Sequence, residues 1–160
     1  MSNVTILSDS SDELPTQVAS LMVPVCEHFL LLPNVSVAEI IGCPPIETVK
    51  NKPKWFLGYV EWRNVHVPIV SFEVANGAEY TELVEPNRVA VLNGISGDSR
   101  LPFFCLATQG IPRLTRVHAE GIVESDAAEG DLEFMRVIVN GEDAVIPEIE
   151  KLEAMIIDHL

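Results

Sequence analysis

One stretch of the chain, residues 57–72, constrains the fold more than any other. Its two arms, 57–62 and 65–72, are rich in aromatic and β-branched residues, which favour β-strand over helix. Arg63 and Asn64 form the polar break between the arms, and Asn tolerates the positive φ that a two-residue hairpin turn needs. The stretch therefore predicts a β-hairpin.

Pro68 limits where the second arm of this hairpin can lie in a sheet. Proline has no N–H to donate to a neighbouring strand, so it belongs at an edge or a bulge. We therefore expect the second arm to be half open, unless a loop or a partner covers it.

Short apolar segments bounded by Gly, Pro, Asn or Asp recur along the rest of the chain. Strands are predicted at 19–25, 29–32, 46–49, 88–92, 102–108, 114–118, 121–123, 135–139 and 142–146. Residues 35–41 fit either a short helical turn or a strand, and 76–86 is expected to be a loop between two halves. Residues 148–160 carry an apolar stripe typical of an amphipathic helix. The pattern predicts a mainly β protein, a barrel or a sandwich, that ends in a short helix.

The formal net charge of −14 argues against two classes of partner. Nucleic acids and anionic membrane surfaces attract clustered Lys and Arg, and the chain has only 10 such residues. The most apolar run, 21–32, is too short to span a bilayer and contains Glu27 and His28. The N-terminus has none of the features of a signal peptide. We therefore expect a cytoplasmic protein that binds no nucleic acid and does not insert into a membrane.

The length of 160 residues fits one domain or two small interlocked lobes. Residues 1–17 are predicted to form a mobile acidic leader, because 8–13 offers no apolar face to bury. Residues 18–160 are predicted to form a single domain. The three cysteines, Cys26, Cys43 and Cys105, are odd in number and lack paired spacing, so reduced thiols are expected.

Candidate catalytic and metal-binding residues are few. Cys26 and His28 are close in sequence, but zinc needs about four ligands and no second pair lies at metal spacing. Asp126, Glu129 and Asp131 lack the spacing of a calcium loop. We expect no enzymatic activity, no metal and no cofactor. A small enzyme or ligand-binding β-barrel that uses Cys26, His28 or these loop carboxylates is the alternative, since catalytic partners can meet in space alone.

The central hairpin resembles the signature of the CheW-type coupling domains of bacterial chemosensory systems. That signature is Gly-x-hydrophobic-Asn-x-Arg-Gly-x-hydrophobic-x-Pro-hydrophobic-hydrophobic-Asp-hydrophobic. Its positions are matched here by Gly58, Arg63, Pro68, Ile69, Val70 and Phe72. The departures are Glu61 for Asn, Asn64 for Gly, and Ser71 for Asp. Upstream, residues 37–40 match a hydrophobic-x-Glu-hydrophobic element of the same family.

This resemblance, which covers about residues 18–157, carries expectations about fold and function. It implies the CheW-like fold of two small five-stranded, SH3-like β-barrel lobes with a short C-terminal helix. It implies an adaptor that couples the cytoplasmic tip of methyl-accepting chemoreceptors to the regulatory domain of a CheA-type histidine kinase. The short, acidic and divergent chain looks more like the accessory proteins of type IV pilus (twitching) systems than like the main flagellar coupler.

The resemblance also implies a partner-binding site on the first lobe. Its residues are Val37, Glu39, Gly58, Trp62 and Arg63. The family pairs the two motif elements, so Glu39 is expected to pair with Arg63. The alternative for Arg63 is an ordinary solvated side chain at a turn. Trp62 could anchor an interface or belong to the core.

Overall fold

The computed structural model of the protein describes residues 17–25, 29–77, 88–126 and 129–160. Several predictions concern residues outside these ranges: the leader apart from Gln17, the pair Cys26 and His28, and most of the loop at 76–86. Within those residues, eleven strands form two sheets.

The first lobe is a five-stranded sheet with the strand order β3-β6-β7-β5-β4. Its strands are β3 (Val37–Gly42), β4 (Phe56–Trp62), β5 (Val65–Val70), β6 (Arg88–Asn93) and β7 (Phe103–Thr108). A one-turn helix, α1 (Phe72–Ala75), follows β5. All of this lobe therefore comes from one continuous part of the chain.

The second lobe is a six-stranded sheet with the strand order β8-β1-β2-β11-β10-β9. Its strands are β1 (Gln17–Pro24), β2 (Phe29–Pro33), β8 (Arg113–His118), β9 (Ile122–Glu124), β10 (Glu133–Val139) and β11 (Glu142–Pro147). The helix α2 (Ile149–Ile157) follows β11. Because β1 and β2 pair with strands from the far end of the chain, the first lobe is an insertion within the second.

The buried apolar residues form three hydrophobic clusters, one of which joins the two lobes. One lies within the first lobe and includes Val60, Trp62 and Val91, and another lies within the second lobe and includes Met22, Val137 and Val139. The third and largest is shared: it combines residues of both sheets with Leu152 and Ile156 of α2. Strands that face both a lobe core and this shared core are buried on two sides, as β7 was predicted to be. The prediction of one domain over 18–160 stays a prediction, and the shared core supports it.

The prediction of a mainly β chain with two lobes and a short C-terminal helix is confirmed. The strand count differs only in the second lobe, where the three-residue β9 makes a sixth strand. Of the two structures considered for 35–41, the strand is present as β3, after a 3₁₀ turn at Asn34–Ser36. The strand predicted at 46–49 is reduced to a single bridge between Glu47 and Tyr59.

The second arm of the central hairpin is half open, as Pro68 predicts. β5 pairs with β4 along its whole length, whereas its other edge pairs with β7 only at Ile69 and Val70. The sequence did not predict α1. Ser71 begins this helix, because its side chain accepts a hydrogen bond from the N–H of Val74 at 3.3 Å.

In the described parts of the chain, no helix is long and apolar enough to cross a membrane.

Candidate functional site

The tip of the central hairpin lies at one end of the first lobe. Arg63 and Asn64 have φ angles of 50° and 64°, the left-handed backbone that a two-residue hairpin turn requires. Asn64 thus adopts the conformation for which the family signature has glycine. Trp62 pairs with Val65 immediately before the turn. The predicted hairpin is confirmed down to its turn residues.

Glu39 joins this hairpin tip to the opposite edge of the same sheet. The Trp62 indole Nε1 donates a hydrogen bond to Glu39 Oε1 at 2.8 Å, and Arg63 Nη2 donates to the same oxygen at 3.4 Å. β3, which carries Glu39, and β4, which carries Trp62, are the two edge strands of the first lobe. The contact therefore shows that the sheet curls until its edges meet. It also contains the expected pair of Glu39 with Arg63.

Trp62 is the buried member of this group. Trp62 is only 7% exposed, and its ring packs edge-on against the ring of Phe103, with the two ring centroids 4.9 Å apart. Of the two roles considered for Trp62, the structure places it in the core. Because both its ring and its N–H are held, it fixes the position of the Glu39 carboxylate.

Arg63 and Glu39 are the solvent-facing members. Their side chains are 68% and 41% exposed. The Arg63 guanidinium lies 4.6 Å from the centre of the Trp62 ring, a cation–π contact that orients it. An exposed ion pair of this kind stabilises a fold by only about 0–1 kcal/mol. Its main consequence is a fixed pair of charges at the surface of the lobe.

Gly58 is buried and acts through its backbone. Its φ is +143°, and a Cβ at this position would lie 2.2 Å from the carbonyl oxygen of Glu47. Glu47 exchanges two backbone hydrogen bonds with Tyr59, at 2.8 and 2.9 Å. Only glycine lets the chain around Glu47 come so close to β4. Gly58 therefore shapes the edge of the first lobe.

Val37 lies on the same edge strand as Glu39 but faces a different part of the protein. It is half-buried and packs against the core that the two lobes share. A bulge between Val37 and Glu39 shifts the register of β3 against β6. The structure thus brings Glu39, Trp62 and Arg63 into contact, whereas Val37 faces the shared core and Gly58 lies farther along β4, beside Glu47.

Two neighbours of the site were not predicted from the sequence. Phe103 supports the Trp62 ring, and Glu47 approaches His66 with 3.6 Å between oxygen and nitrogen. His66 is exposed, as predicted, and its ring stacks on Tyr59 with centroids 6.0 Å apart. The only signal for Phe103 was its position at the start of a strand that is apolar on both faces.

Two of the three cysteines, Cys43 and Cys105, are among the described residues. Burial raises the pKa of the Cys105 thiol to about 12, which leaves it protonated at neutral pH. Cys43 is half-buried, and its thiol donates to the Pro44 carbonyl at 3.2 Å. No group of three or more His, Cys, Asp or Glu side chains that could hold a metal occurs among the described residues.

A buried polar network links the lobes away from the hairpin tip. Asn76, just after α1, donates to the Glu133 carboxylate of β10 at 2.6 Å and accepts from the N–H of Leu132 at 2.7 Å. Arg136 donates to the same carboxylate at 2.7 and 3.1 Å. Burial alone would raise the pKa of Glu133, but the hydrogen bonds from Arg136, the Gly130 backbone and Asn76 outweigh it and lower the pKa to about 2.

Comparisons with known proteins agree with this architecture. A family model described as the CheW-like domain matches residues 19–155. Among solved structures, the scaffolding protein TtCheW from Thermoanaerobacter tengcongensis is similar, with a TM-score of 0.67 and 13% sequence identity. The similarity covers 81% of this chain and 88% of that one. No curated protein sequence matches significantly.

Proposed function

The chain belongs to the CheW-like domain family, and we propose that it is an adaptor of a chemosensory system that works by docking and catalyses no reaction. Its partners are the regulatory domain of a CheA-type histidine kinase and the cytoplasmic tip of a methyl-accepting chemoreceptor. A cytoplasmic location follows from these partners.

One observation carries the proposal: the Glu39–Trp62–Arg63 group at the tip of the first lobe. Arg63 and Glu39 are exposed, yet buried Trp62 holds both of them through a hydrogen bond of 2.8 Å and a ring contact of 4.6 Å. A charged pair that is fixed before binding loses less side-chain entropy when a partner docks. Such a pair also selects partners by charge complementarity.

Gly58 and Val37 support the same surface in this proposal. Gly58 admits the Glu47 segment beside β4, so the edge that faces the partner has a defined shape. Val37 ties the edge strand β3 to the core that the lobes share. Both residues contribute to binding through the position of the charged pair.

Binding to a kinase regulatory domain, measured by calorimetry or pull-down, tests the proposal. Arg63→Ala and Glu39→Ala are each expected to weaken binding by about tenfold, which corresponds to ~1.4 kcal/mol. Both variants are expected to stay folded. The exposed ion pair stabilises the fold by about 1 kcal/mol at most, and Glu39→Ala costs about 1–3 kcal/mol more because it leaves the Trp62 N–H without its acceptor.

Arg100→Ala is the matched control. Arg100 also makes an exposed ion pair, with Asp98 at 2.8 Å, but on a different loop of the first lobe. It is expected to leave kinase binding unchanged. The proposal fails if the wild-type protein binds neither the kinase domain nor a receptor tip, or if all three variants bind as the wild type does.

The similarity to accessory proteins of type IV pilus systems adds a finer part to the proposal, namely that the kinase served belongs to a twitching system. Titration against regulatory domains from a pilus system and from a flagellar system of the same bacterium separates the two. Tighter binding to the flagellar domain would contradict this part alone.

The alternative of a small enzyme that uses Cys26 and His28 concerns residues outside the described ranges. Labelling of the native protein with a thiol reagent distinguishes it from the adaptor. One cysteine that reacts much faster than a free thiol would favour the enzyme, since a depressed thiol pKa accompanies nucleophilic cysteine.

A further inference from the structure

The chain contains three asparagine–glycine pairs, and all of them are among the described residues: Asn76–Gly77, Asn93–Gly94 and Asn140–Gly141. In such a pair the backbone nitrogen of glycine can attack the side-chain carbonyl carbon of asparagine, because glycine has no Cβ to obstruct the approach. The resulting five-membered ring releases ammonia, and water opens it to aspartate or isoaspartate. In a folded protein, the rate depends on how firmly the amide and the attacking nitrogen are held.

Hydrogen bonds hold both members of the Asn76–Gly77 pair. The Asn76 side-chain nitrogen donates to the Glu133 carboxylate at 2.6 Å, and the side-chain oxygen accepts from the N–H of Leu132 at 2.7 Å. The Gly77 N–H donates to the carbonyl of Val74 at 3.0 Å. These bonds must break before the glycine nitrogen can reach the amide carbon, so the fold protects this pair.

The Asn93–Gly94 pair is held in a similar way. The Asn93 side-chain nitrogen donates to the carbonyl of Val35 at 3.3 Å, and the Gly94 N–H donates to the carbonyl of Pro102 at 2.8 Å. Asn93 is also the last residue of β6 and pairs with Phe103 of β7. Both the leaving group and the attacking nitrogen are therefore restrained here as well.

The Asn140–Gly141 pair differs from the other two. It forms the exposed turn of the β10–β11 hairpin, with φ angles of 50° and 86°. The backbone N–H of Asn140 donates to the carbonyl of Gly121 at 2.9 Å. Among the described residues, however, none accepts a hydrogen bond from the Asn140 side-chain nitrogen or from the Gly141 N–H. The leaving group and the attacking nitrogen are both unrestrained by such bonds.

The attack requires a rotation of the backbone at this turn. The nearest paired residues of the hairpin are Val139 and Glu142, which lie on either side of the turn and outside it. Asn140 and Gly141 can therefore rotate while β10 and β11 stay paired. Openings confined to such an exposed tip cost far less free energy than unfolding of the lobe.

We propose that Asn140 is a site of spontaneous deamidation, at which the protein is covalently modified as it ages. The Gly141 nitrogen bonds to the Asn140 side-chain carbon, the bond from that carbon to Nδ2 breaks, and the N–H proton leaves with the ammonia. One water then adds to either carbonyl of the ring, which gives isoaspartate or aspartate. The site lies on the second lobe, away from Glu39 and Arg63, so it goes beyond the proposed docking function.

Either product changes the tip of the second lobe. The new carboxylate adds a negative charge next to Glu142, which pairs with Arg113 of the edge strand β8. Isoaspartate also routes the backbone through the former side chain, which inserts a methylene into a two-residue turn. Because turn length fixes the register of a hairpin, this product is expected to disturb the pairing of β10 with β11.

Incubation of the full-length protein in warm, mildly alkaline buffer tests the site, with digestion by trypsin and mass spectrometry at successive times. The folded protein is expected to convert Asn140 about tenfold faster than the other two pairs, since hydrogen bonds must break first at those pairs. In urea, where all three pairs are unfolded, the three rates are expected to be similar. The pairs are measured separately because they lie in different tryptic peptides, 64–88, 89–100 and 137–151.

The product and a variant supply the second readout. An isoaspartyl carboxyl methyltransferase with labelled S-adenosylmethionine is expected to label the peptide 137–151 of the aged protein. Asn140→Gly removes the side-chain amide and leaves a Gly-Gly turn, which suits a two-residue hairpin, so it is expected to abolish this label. Asn93→Gln is the matched control, because it removes a different asparagine–glycine pair and should leave the label in 137–151 unchanged.

The proposal is overturned if Asn140 in the folded protein reacts no faster than Asn76 or Asn93. It is also overturned if aspartate forms without isoaspartate, since passage through the ring gives both, or if Asn140→Gly keeps the label. None of these results depends on a kinase or a receptor, so this proposal and the adaptor function can fail separately.

Discussion

The two lobes share a strand order but end differently at their hairpin tips. In the first lobe, Trp62 fills the space between the hairpin and the edge strand and holds the exposed Arg63 and Glu39 in place. In the second, the residue before the Asn140–Gly141 turn is Val139, which has no hydrogen-bonding side chain, is 1% exposed and pairs with Ile122 of the additional strand β9. The difference shows that one strand order supports either a tip held by a hydrogen bond from a tryptophan or a tip covered by a further strand.

Truncation of the residue before each turn is expected to give the largest contrast. Trp62→Ala should lower the free energy of unfolding by about 3–5 kcal/mol, because it removes a buried ring and its hydrogen bond. Val139→Ala should cost about 2 kcal/mol, since a smaller buried side chain is lost and no hydrogen bond goes with it. Urea denaturation measures both. Equal losses would show that the two positions are not distinguished by packing.

Acidification tests the junction between the lobes and is expected to have an intermediate effect. The pKa of Glu133 falls from its ordinary value of 4.5 to about 2 in the folded protein. Its ionised form therefore stabilises the fold above pH 4.5 by roughly 3 kcal/mol, and this stabilisation is lost as the pH falls toward 2.

Glu133→Gln should flatten the dependence of stability on pH in that range, measured by urea denaturation at several pH values. Glu150→Gln, at an exposed site on α2, is the control and should keep the wild-type slope. If Glu133→Gln keeps the wild-type dependence of unfolding free energy on pH, Glu133 is not the group that makes the fold sensitive to acid.

The helices that follow the two hairpins offer the smallest test. α1 has a side-chain cap from Ser71, whereas α2 begins after Glu148 without one. Ser71→Ala should therefore cost about 1 kcal/mol, and Ser71→Asn, which keeps an acceptor for the Val74 N–H and adds no charge beside the buried Glu73, should cost less. Glu148→Ala should have little effect on capping. A thermal melt that ranks Ser71→Asn below Ser71→Ala would contradict the capping role.

Much of the fold was predictable because its signals are local. The polar break at Arg63 and Asn64 marked the turn of the central hairpin, and the apolar stripe marked α2. The sequence did not predict α1 because a four-residue helix is too short to show a period. The sequence also predicted a strand at 46–49, where the structure has only one bridge, between Glu47 and Tyr59 of β4, and no further paired residues.

The candidate site was predicted in part, and the resemblance supplied most of it. The pair of Glu39 with Arg63 was expected from the family, whereas the hydrogen bond from Trp62 to Glu39 was not. The role of Gly58 could not be deduced either, since it depends on a carbonyl eleven residues away.

By itself, the sequence determined where the chain turns, which segments are strands and that the protein is strongly acidic, because turn conformation and alternating apolar residues depend on near neighbours. The tertiary structure alone decided that β1 and β2 join β8 and β11, and that Glu39 meets Trp62. Such contacts join residues far apart in the chain, and they depend on how each sheet curls. Local preference does not specify that curl, because each sheet curls around its own buried core.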